Sequence, residues 1–237
     1  IPASMLAIPG IKPDIQDKDG NSAMHIAAAF RAHQQEASYV VDVLGKKKAN
    51  PNLQDKYGRT PLFLALEANN ARTVHLLLDK FGADPNLKHN DGSCPVLLAA
   101  QRNDIPLLKA LISKKADLNV KRSDGATPLV LALRKNAMRD FLTASGVDLE
   151  TDVMDKGMKI LHFAIENFRD GEPVRYLLEK GANPDSTDMF NDTPLHYAAR
   201  RRNLAAAQAL LAQNADPNRQ NKKGETPIFL AANRGDA

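Results

Sequence analysis

Apolar residues in this sequence fall into pairs of short stretches that recur along the chain. The first stretch of a pair is rich in Leu and Ala, as at residues 195–199, and the second is rich in Leu, as at residues 73–78. The second stretch ends in turn-forming residues such as the Gly-Ala-Asp-Pro-Asn string at 82–86. This arrangement predicts pairs of antiparallel helices rather than strands.

The pairs follow one another at a nearly constant interval, which is marked by the string Gly-x-Thr-Pro. The string is complete or partly altered at seven anchor positions, which are Gly20, Gly58, Gly92, Gly125, Gly157, Asn191 and Gly224. The anchors are separated by 38, 34, 33, 32, 34 and 33 residues. Thr is a good N-cap and Pro is tolerated in the first turn, so each string predicts the start of a helix. Seven copies with a period near 33 residues indicate a repeat protein.

The repeated string resembles the ankyrin repeat, whose pattern runs Asp-x-x-Gly-x-Thr-Pro-Leu-His-Leu-Ala-Ala and later Leu-Leu-x-x-Gly-Ala-Asp-x-Asn. The resemblance covers residues 14–237 and implies an all-α solenoid of stacked helix-turn-helix units with short hairpin or turn tips. We therefore expect one domain over residues 1–237, with repeats at 17–54, 55–87, 88–121, 122–151, 152–186, 187–220 and, in part, 221–237. Residues 14–16 look like the tail of an earlier repeat, so we expect a fragment of a longer protein.

Several copies depart from the regular pattern. Five extra residues in the first copy, within Ala29 to Ser38, predict an additional helical turn. The fourth copy is two residues short, which predicts a shortened second helix. Lys159 replaces the capping Thr of the fifth copy, at an expected cost of about 1 kcal/mol. We expect a left-handed backbone where the first helices end, and strain at Arg202, which takes that position in the sixth copy. The other residues at that position are Asn69, Asn103, Asn136 and Gly235.

Composition narrows the class of protein. Aromatic residues make up 5% of the chain, and a single cysteine excludes an internal disulfide or a cysteine-based zinc cluster. No apolar run approaches the ~18 residues of a membrane span. The net charge of +4 is mild and aromatic residues do not alternate with the basic clusters, so we expect no nucleic-acid binding. We expect a monomer in the cytoplasm, or in the host cytosol if the protein is a secreted effector.

Candidate chemistry is sparse. The resemblance implies that His25, His162 and His196, which share one position of the repeat, form hydrogen bonds within the scaffold. Cys94 replaces a capping Thr, and a half-buried substitute cap is the interpretation we weigh against a reactive thiol at a helix start. We assign no catalytic, metal-binding or cofactor-binding residue and expect no enzyme activity from this segment.

One modification signal is present in the repeat turns. A Leu eight residues before an Asn, with Asp two before it, resembles the motif of an asparaginyl hydroxylase. Three asparagines fit this spacing, Asn86, Asn119 and Asn218. The same residues also belong to the ordinary turn of the repeat, so both a modification site and a purely structural role stay open.

The resemblance implies a protein-binding role, because partners of ankyrin repeats contact the turn tips and the solvent-facing side of the first helices. The candidate tip residues are Lys56, Tyr57, Arg59, Met189 and Phe190, with Lys222 and Lys223 at the last tip. Basic residues fill the helix positions and predict a basic ridge that favours an acidic partner. These residues are Arg102, Arg134, Lys135, Arg200, Arg201 and Arg234. The alternative interpretation of the ridge is that its charges only maintain solubility. The alternative to a scaffold or adaptor role is a recruitment domain of a larger enzyme or secreted effector, whose catalytic part lies outside this segment.

Overall fold

The computed structural model describes residues 10–233, and its regular structure is entirely helical over that range. The all-α prediction is therefore confirmed. The helices of these residues are α1 Ala23–Ala28, α2 Gln34–Lys46, α3 Pro61–Glu67, α4 Ala71–His75, α5 Pro95–Arg102, α6 Ile105–Ser113, α7 Pro128–Ala132, α8 Asn136–Ala144, α9 Ile160–Asn167, α10 Glu172–Glu179, α11 Pro194–Arg201, α12 Leu204–Ala212 and α13 Pro227–Ala232. Helix α4 continues as a π-helical turn, Leu76–Lys80.

The chain divides into two compact units, residues 1–123 and 124–237. In the first unit, α1, α3 and α5 pack side by side, and α2 packs against α4. In the second unit, α9, α11 and α13 form the equivalent row, and α10 packs against α12. Small side chains permit this close approach of neighbouring helices, and Ala65, Ala99 and Ala164 are fully buried.

The helix starts follow the predicted capping rule. The hydroxyls of Thr60, Thr127 and Thr226 each accept a hydrogen bond from the backbone N–H three residues on, at 3.2, 3.3 and 3.3 Å. Lys159 has no such hydroxyl, but its own backbone N–H donates to Nδ1 of His162 at 3.1 Å. The fifth copy thus loses the hydroxyl cap, as predicted, and keeps the half of the cap that the histidine supplies.

The fourth copy differs from the prediction, because the shortened element is its first helix. Helix α7 has five residues, whereas α8 has nine, the same length as α6 and α12. Asn136 is accordingly the first residue of α8, not a left-handed residue, and the prediction for it is wrong. Asn69, Asn103 and Arg202 do have the left-handed backbone, with φ of 56°, 58° and 55°. Gly235 lies outside the described residues.

A buried arginine compensates for the short helix α7. Arg139 donates from Nη1 to the carbonyl of Leu133, which follows α7, at 3.0 Å. Its guanidinium also makes two hydrogen bonds of 2.9 Å to Glu172 and lies 3.7 Å from the ring centroid of Tyr176. Paired in this way, the charge can be buried without the full desolvation cost. The repeat pattern gives no sign of this network.

Insertions in the first two copies are both absorbed by the second helix. Helix α2 has 13 residues, four more than α6, so the extra turn predicted within residues 29–38 is confirmed, with residues 29–33 forming a linker. The second copy carries one extra residue near Phe81, and the π-helical turn accommodates it. The Phe81 ring occupies the space that a Cβ at Gly45 would need, since the two would approach to 2.3 Å. A larger residue at this position of α2 would therefore have to displace the Phe81 ring.

Cys94 is more deeply placed than predicted. The side chain is 1% exposed and makes no capping hydrogen bond to α5. Burial raises the pKa of the thiol, and the nearby backbone N–H groups of Leu97 and Val96 offset this in part. The interpretation of a half-buried cap is corrected to a buried core residue, and the raised pKa also argues against the reactive alternative.

Candidate protein-binding surfaces

Three histidines each tie the first helix of their own repeat to the turn of the following repeat. In the first unit, Nδ1 of His25 accepts from the Ser22 N–H at 3.1 Å, and Nε2 donates to the carbonyl of Arg59 at 3.0 Å. In the second unit, Nε2 of His162 donates to the carbonyl of Asp192 at 3.1 Å. His196 makes the equivalent bonds to the Thr193 N–H and the Glu225 carbonyl, at 3.1 and 3.0 Å. The predicted structural role is confirmed.

These contacts require neutral imidazole rings with the proton on Nε2. Burial lowers the pKa of His162 to about 4, although its bond to the Asp192 carbonyl acts in the opposite direction. Burial also lowers the pKa of His25. Over residues 10–233, no cluster of three or more His, Cys, Asp or Glu side chains has a geometry that could hold a metal ion.

The first-unit tip, residues 55–59, presents an aromatic ring on a rigid turn. The buried carboxylate of Asp55 accepts from the N–H groups of Tyr57 and Arg59, both at 2.9 Å, and from Nε of Arg59 at 2.7 Å. The charged groups of Lys56 and Arg59 lie 4.9 and 4.8 Å from the Tyr57 ring centroid. Lys56 also pairs with Asp19 at 2.8 Å. Both cations of this tip therefore already have carboxylate partners.

The second-unit tip, residues 188–192, has the same frame. The buried carboxylate of Asp188 accepts from the N–H groups of Phe190 and Asp192 at 2.8 and 2.9 Å. It also accepts from the Tyr197 hydroxyl at 3.0 Å. Met189 and Phe190 remain 51% and 45% exposed, close to the 46% of Tyr57. A rigid backbone thus displays two large apolar side chains to solvent.

Backbone hydrogen bonds connect this tip to the tips on either side. The Met189 N–H donates to the Lys156 carbonyl at 2.9 Å, and the Lys222 N–H donates to the Phe190 carbonyl at 2.9 Å. Two clefts, of about 420 and 340 Å³, open between these tips and the first helices. Phe190, Asp192 and Arg200 line both clefts, so these three residues form the wall between them.

Most cations predicted to form the basic ridge interact within their own unit. Arg134 pairs with Asp170 at 3.0 Å, Arg200 pairs with Asp192, and Arg201 pairs with Glu166. Arg102, in the first unit, donates to the carbonyl of Leu66 at 2.6 Å. Lys135 is partly buried, which lowers its pKa. Arg234 lies outside the described residues.

The candidate hydroxylation residues all serve the repeat turns. The side chain of Asn86 accepts from the Asp117 N–H at 2.8 Å and donates to the Lys115 carbonyl at 3.2 Å. Asn119 and Asn218 are exposed, and their N–H groups donate to Asp117 and Asp216 at 2.8 and 2.9 Å. These bonds account for the spacing without a modification, and hydroxylation at the three positions stays a prediction.

Comparison with known proteins agrees with the repeat pattern. A family model described as ankyrin repeats, in three copies, matches residues 3–89, 96–188 and 174–237. The nuclear factor NF-kappa-B p105 subunit of Gallus gallus is 30% identical over 95% of the chain, which spans 23% of that protein. Palmitoyltransferase Hip14 of Drosophila melanogaster is 44% identical over 30% of the chain, which spans 11% of that protein.

Solved structures agree as well. The crystal structure of the ankyrin repeat domain of Bcl-3 superposes with a TM-score of 0.76 at 25% identity, covering 90% of this chain and 95% of that one. Across residues 10–233, every helix is too short or too polar to cross a membrane. The fold is thus shared with ankyrin domains, whereas the chain spans less than a quarter of the two curated relatives.

Proposed function

The chain belongs to the ankyrin-repeat family, a general protein-interaction module, and we propose that it is a scaffold or adaptor that binds a partner protein. Binding would take place through the turn tips and the solvent-facing side of the first helices. The observation that carries this proposal is the exposure of Tyr57, Met189 and Phe190 on turns held by buried carboxylates. Exposed aromatic residues are preferred anchors at interfaces. Because the turns are already rigid, little ordering cost opposes binding.

The finer parts of the proposal are an acidic partner surface, a monomeric state and a cytoplasmic location. The number of basic residues in the ridge supports an acidic partner. Their ion pairs within the unit, however, reduce the positive charge that is available to a partner. Arg134→Glu combined with Arg201→Glu tests the ridge, with Arg134→Gln and Arg201→Gln as the uncharged control. At low salt we expect the reversal to weaken partner binding by tenfold, or ~1.4 kcal/mol, while the folded helix content is unchanged. Equal binding by the folded double reversal would exclude the ridge from the interface.

Photo-crosslinking tests the binding surface itself. A photoreactive residue at position 57 or 190 should capture the partner, whereas the same residue at Arg72 or Gln208 should not. Both control positions are exposed and lie on second helices, α4 and α12. Capture from the control positions alone would place the interface on the second helices and refute the proposed surface.

A second candidate function is recruitment of targets to an enzyme encoded in the same, longer protein. The match to a stretch of palmitoyltransferase Hip14 favours it, because the matched stretch belongs to a longer protein that is named as an enzyme. Deleting the segment from the natural full-length protein distinguishes the two functions. Recruitment predicts that modification of the crosslinked partner is lost while turnover of a small model substrate continues. An adaptor has no such turnover to retain.

A further inference from the structure

Three exposed lysines around Phe190 differ from the arginines of the ridge. Lys156, Lys222 and Lys223 lie on the tips before and after Phe190, and none of them forms an ion pair with another residue in the range 10–233. The Nζ of Lys156 lies 5.8 Å from the Phe190 ring centroid. These tip lysines therefore carry charge that is not neutralised within the unit.

The carboxylates near the tip lysines are mostly engaged elsewhere. Asp192 is buried and accepts from Arg200 and from Nδ2 of Asn221. Glu225 accepts from the same Nδ2 at 3.0 Å. Asp155, beside Lys156, is the exposed carboxylate that opposes the lysines. The exposed charged side chains of these tips are thus three lysines and one aspartate around a half-exposed aromatic ring, whereas Asp188 and Asp192 hold their charges in buried positions.

We propose that Phe190 and the tip lysines bind an acidic segment of the partner protein with an apolar residue at its centre. This inference rests on the proposed protein-binding function and names the chemistry of the partner. The apolar side chain would pack on Phe190 and Met189, and acidic residues on both sides would pair with the lysines. Exposed, uncompensated charge mainly accelerates encounter and selects partners by sign, while the ring adds apolar contact.

The spacing of the repeats sets the length of that segment. Neighbouring helices lie about 8–10 Å apart, so two repeat steps from Lys156 to Lys222 cover roughly 16–20 Å. An extended chain advances about 3.3–3.6 Å per residue, so the acidic groups lie about five or six residues apart. Phe190 is on the middle tip, which places the apolar residue about three positions from each acidic group.

The same surface is poorly suited to single-stranded nucleic acid. Such binding uses successive aromatic rings on which successive bases stack. The three tips carry one aromatic ring, that of Phe190, and its neighbour Met189 is aliphatic. We therefore favour a peptide and use a nucleic acid as a competing ligand in the test.

The test is fluorescence anisotropy with the labelled peptide Asp-Glu-Ser-Leu-Ser-Asp-Glu. Two control peptides replace Leu by Ser or the acids by their amides, and a uridine heptamer is the nucleic-acid competitor. Lys222→Glu combined with Lys223→Glu should weaken binding of the parent peptide at least tenfold, and Phe190→Ala at least fivefold. The matched control, Lys88→Glu with Lys121→Glu, makes the same charge change at exposed lysines of the first unit and should leave the affinity within twofold.

Three results would overturn the inference. These are no binding of the parent peptide at millimolar concentration, an equal loss in the control reversal, or tighter binding of the uridine heptamer. None of them would affect the proposed function, since photo-crosslinking at positions 57 and 190 reports partner binding independently. Conversely, a partner that crosslinks at position 190 but binds the tip-lysine reversal normally would contradict the acidic segment and retain the protein-binding role.

Discussion

The first-unit tip and the second-unit tip have the same frame and different available charge. In both, a buried aspartate, Asp55 or Asp188, accepts from two backbone N–H groups of the turn. In both, a histidine of the preceding first helix donates to the carbonyl four residues after that aspartate. The repeat motif therefore specifies the shape of a tip and leaves its outer residues open.

The difference originates on the neighbouring tip. The residue before the turn glycine is Asp19 in the first repeat and Lys156 in the fifth. Asp19 neutralises Lys56 beside Tyr57, whereas Lys156 adds a positive charge beside Phe190. The electrostatic character of a tip thus depends on two consecutive repeats, and inspection of one repeat alone misses it.

The largest expected effect is a loss of stability at low pH, and it arises from His162, which is hydrogen-bonded to the second-unit tip. The pKa of His162 is lowered from 6.5 to about 4, so the folded state favours the neutral ring. The resulting stability is fully present above pH 6.5 and is lost as the pH falls from 6.5 towards 4. This shift in pKa corresponds to a contribution on the order of 3 kcal/mol to the free energy of unfolding. Denaturant unfolding at pH 7, 5.5 and 4.5 measures it.

His162→Gln is the control, because glutamine takes up no proton in this range. This variant should start less stable at pH 7 and depend less on pH between 6.5 and 4. An identical pH dependence in the variant would show that other groups account for the acid sensitivity.

The next effect separates the two buried aspartates. Asp55→Ala and Asp188→Ala should each cost about 2–3 kcal/mol, because buried backbone N–H groups lose their acceptor. Asparagine should be tolerated better at 188, where its amide can donate to the Tyr197 hydroxyl, than at 55, where the amide would face the Nε donor of Arg59. We expect about 1 kcal/mol between the two asparagine variants in denaturant unfolding. Equal costs would show that the third hydrogen-bond partner does not distinguish the two aspartates.

Much of the fold was predictable because it depends on local chemistry. The Thr-Pro strings and the recurring His each act within one repeat, so a single stretch of sequence contains the full signal. The altered copies were predictable only in part. The length of the fourth copy reveals a deletion but not its place, and the contacts of Arg139 with Leu133 and Glu172 exist only after folding. The close contact between the Phe81 ring and Gly45 is made between two repeats, and no sequence motif indicates it.

The candidate site was predictable in position but not in charge. The sequence identified Tyr57, Met189 and Phe190 as large side chains at tips, and all three are exposed. It counted Arg200 and Arg201 as free cations, although their partners Asp192 and Glu166 lie 8 and 35 residues away. Lys156 was not singled out, because its importance depends on a ring in the following repeat. Pairing across repeats is a property of the folded stack.

The smallest expected effect tests whether ion pairing alone distinguishes the two tips. Asp19→Asn should release Lys56, whose pKa is raised by its bond to Asp19, and leave it beside the Tyr57 ring. Stability should hardly change, because an exposed ion pair contributes little to it. In a background of Phe190→Ala, Lys222→Glu and Lys223→Glu, which silences the second-unit tip, binding of the acidic peptide should rise about twofold to threefold. Adding Lys56→Gln should abolish the gain, since the released ammonium is its source. A gain in binding that persists without Lys56 would arise from the lower overall negative charge of the protein. No gain at all would mean that the two tips differ because of the apolar surface around Phe190 and not because of the ion pairing of the lysines.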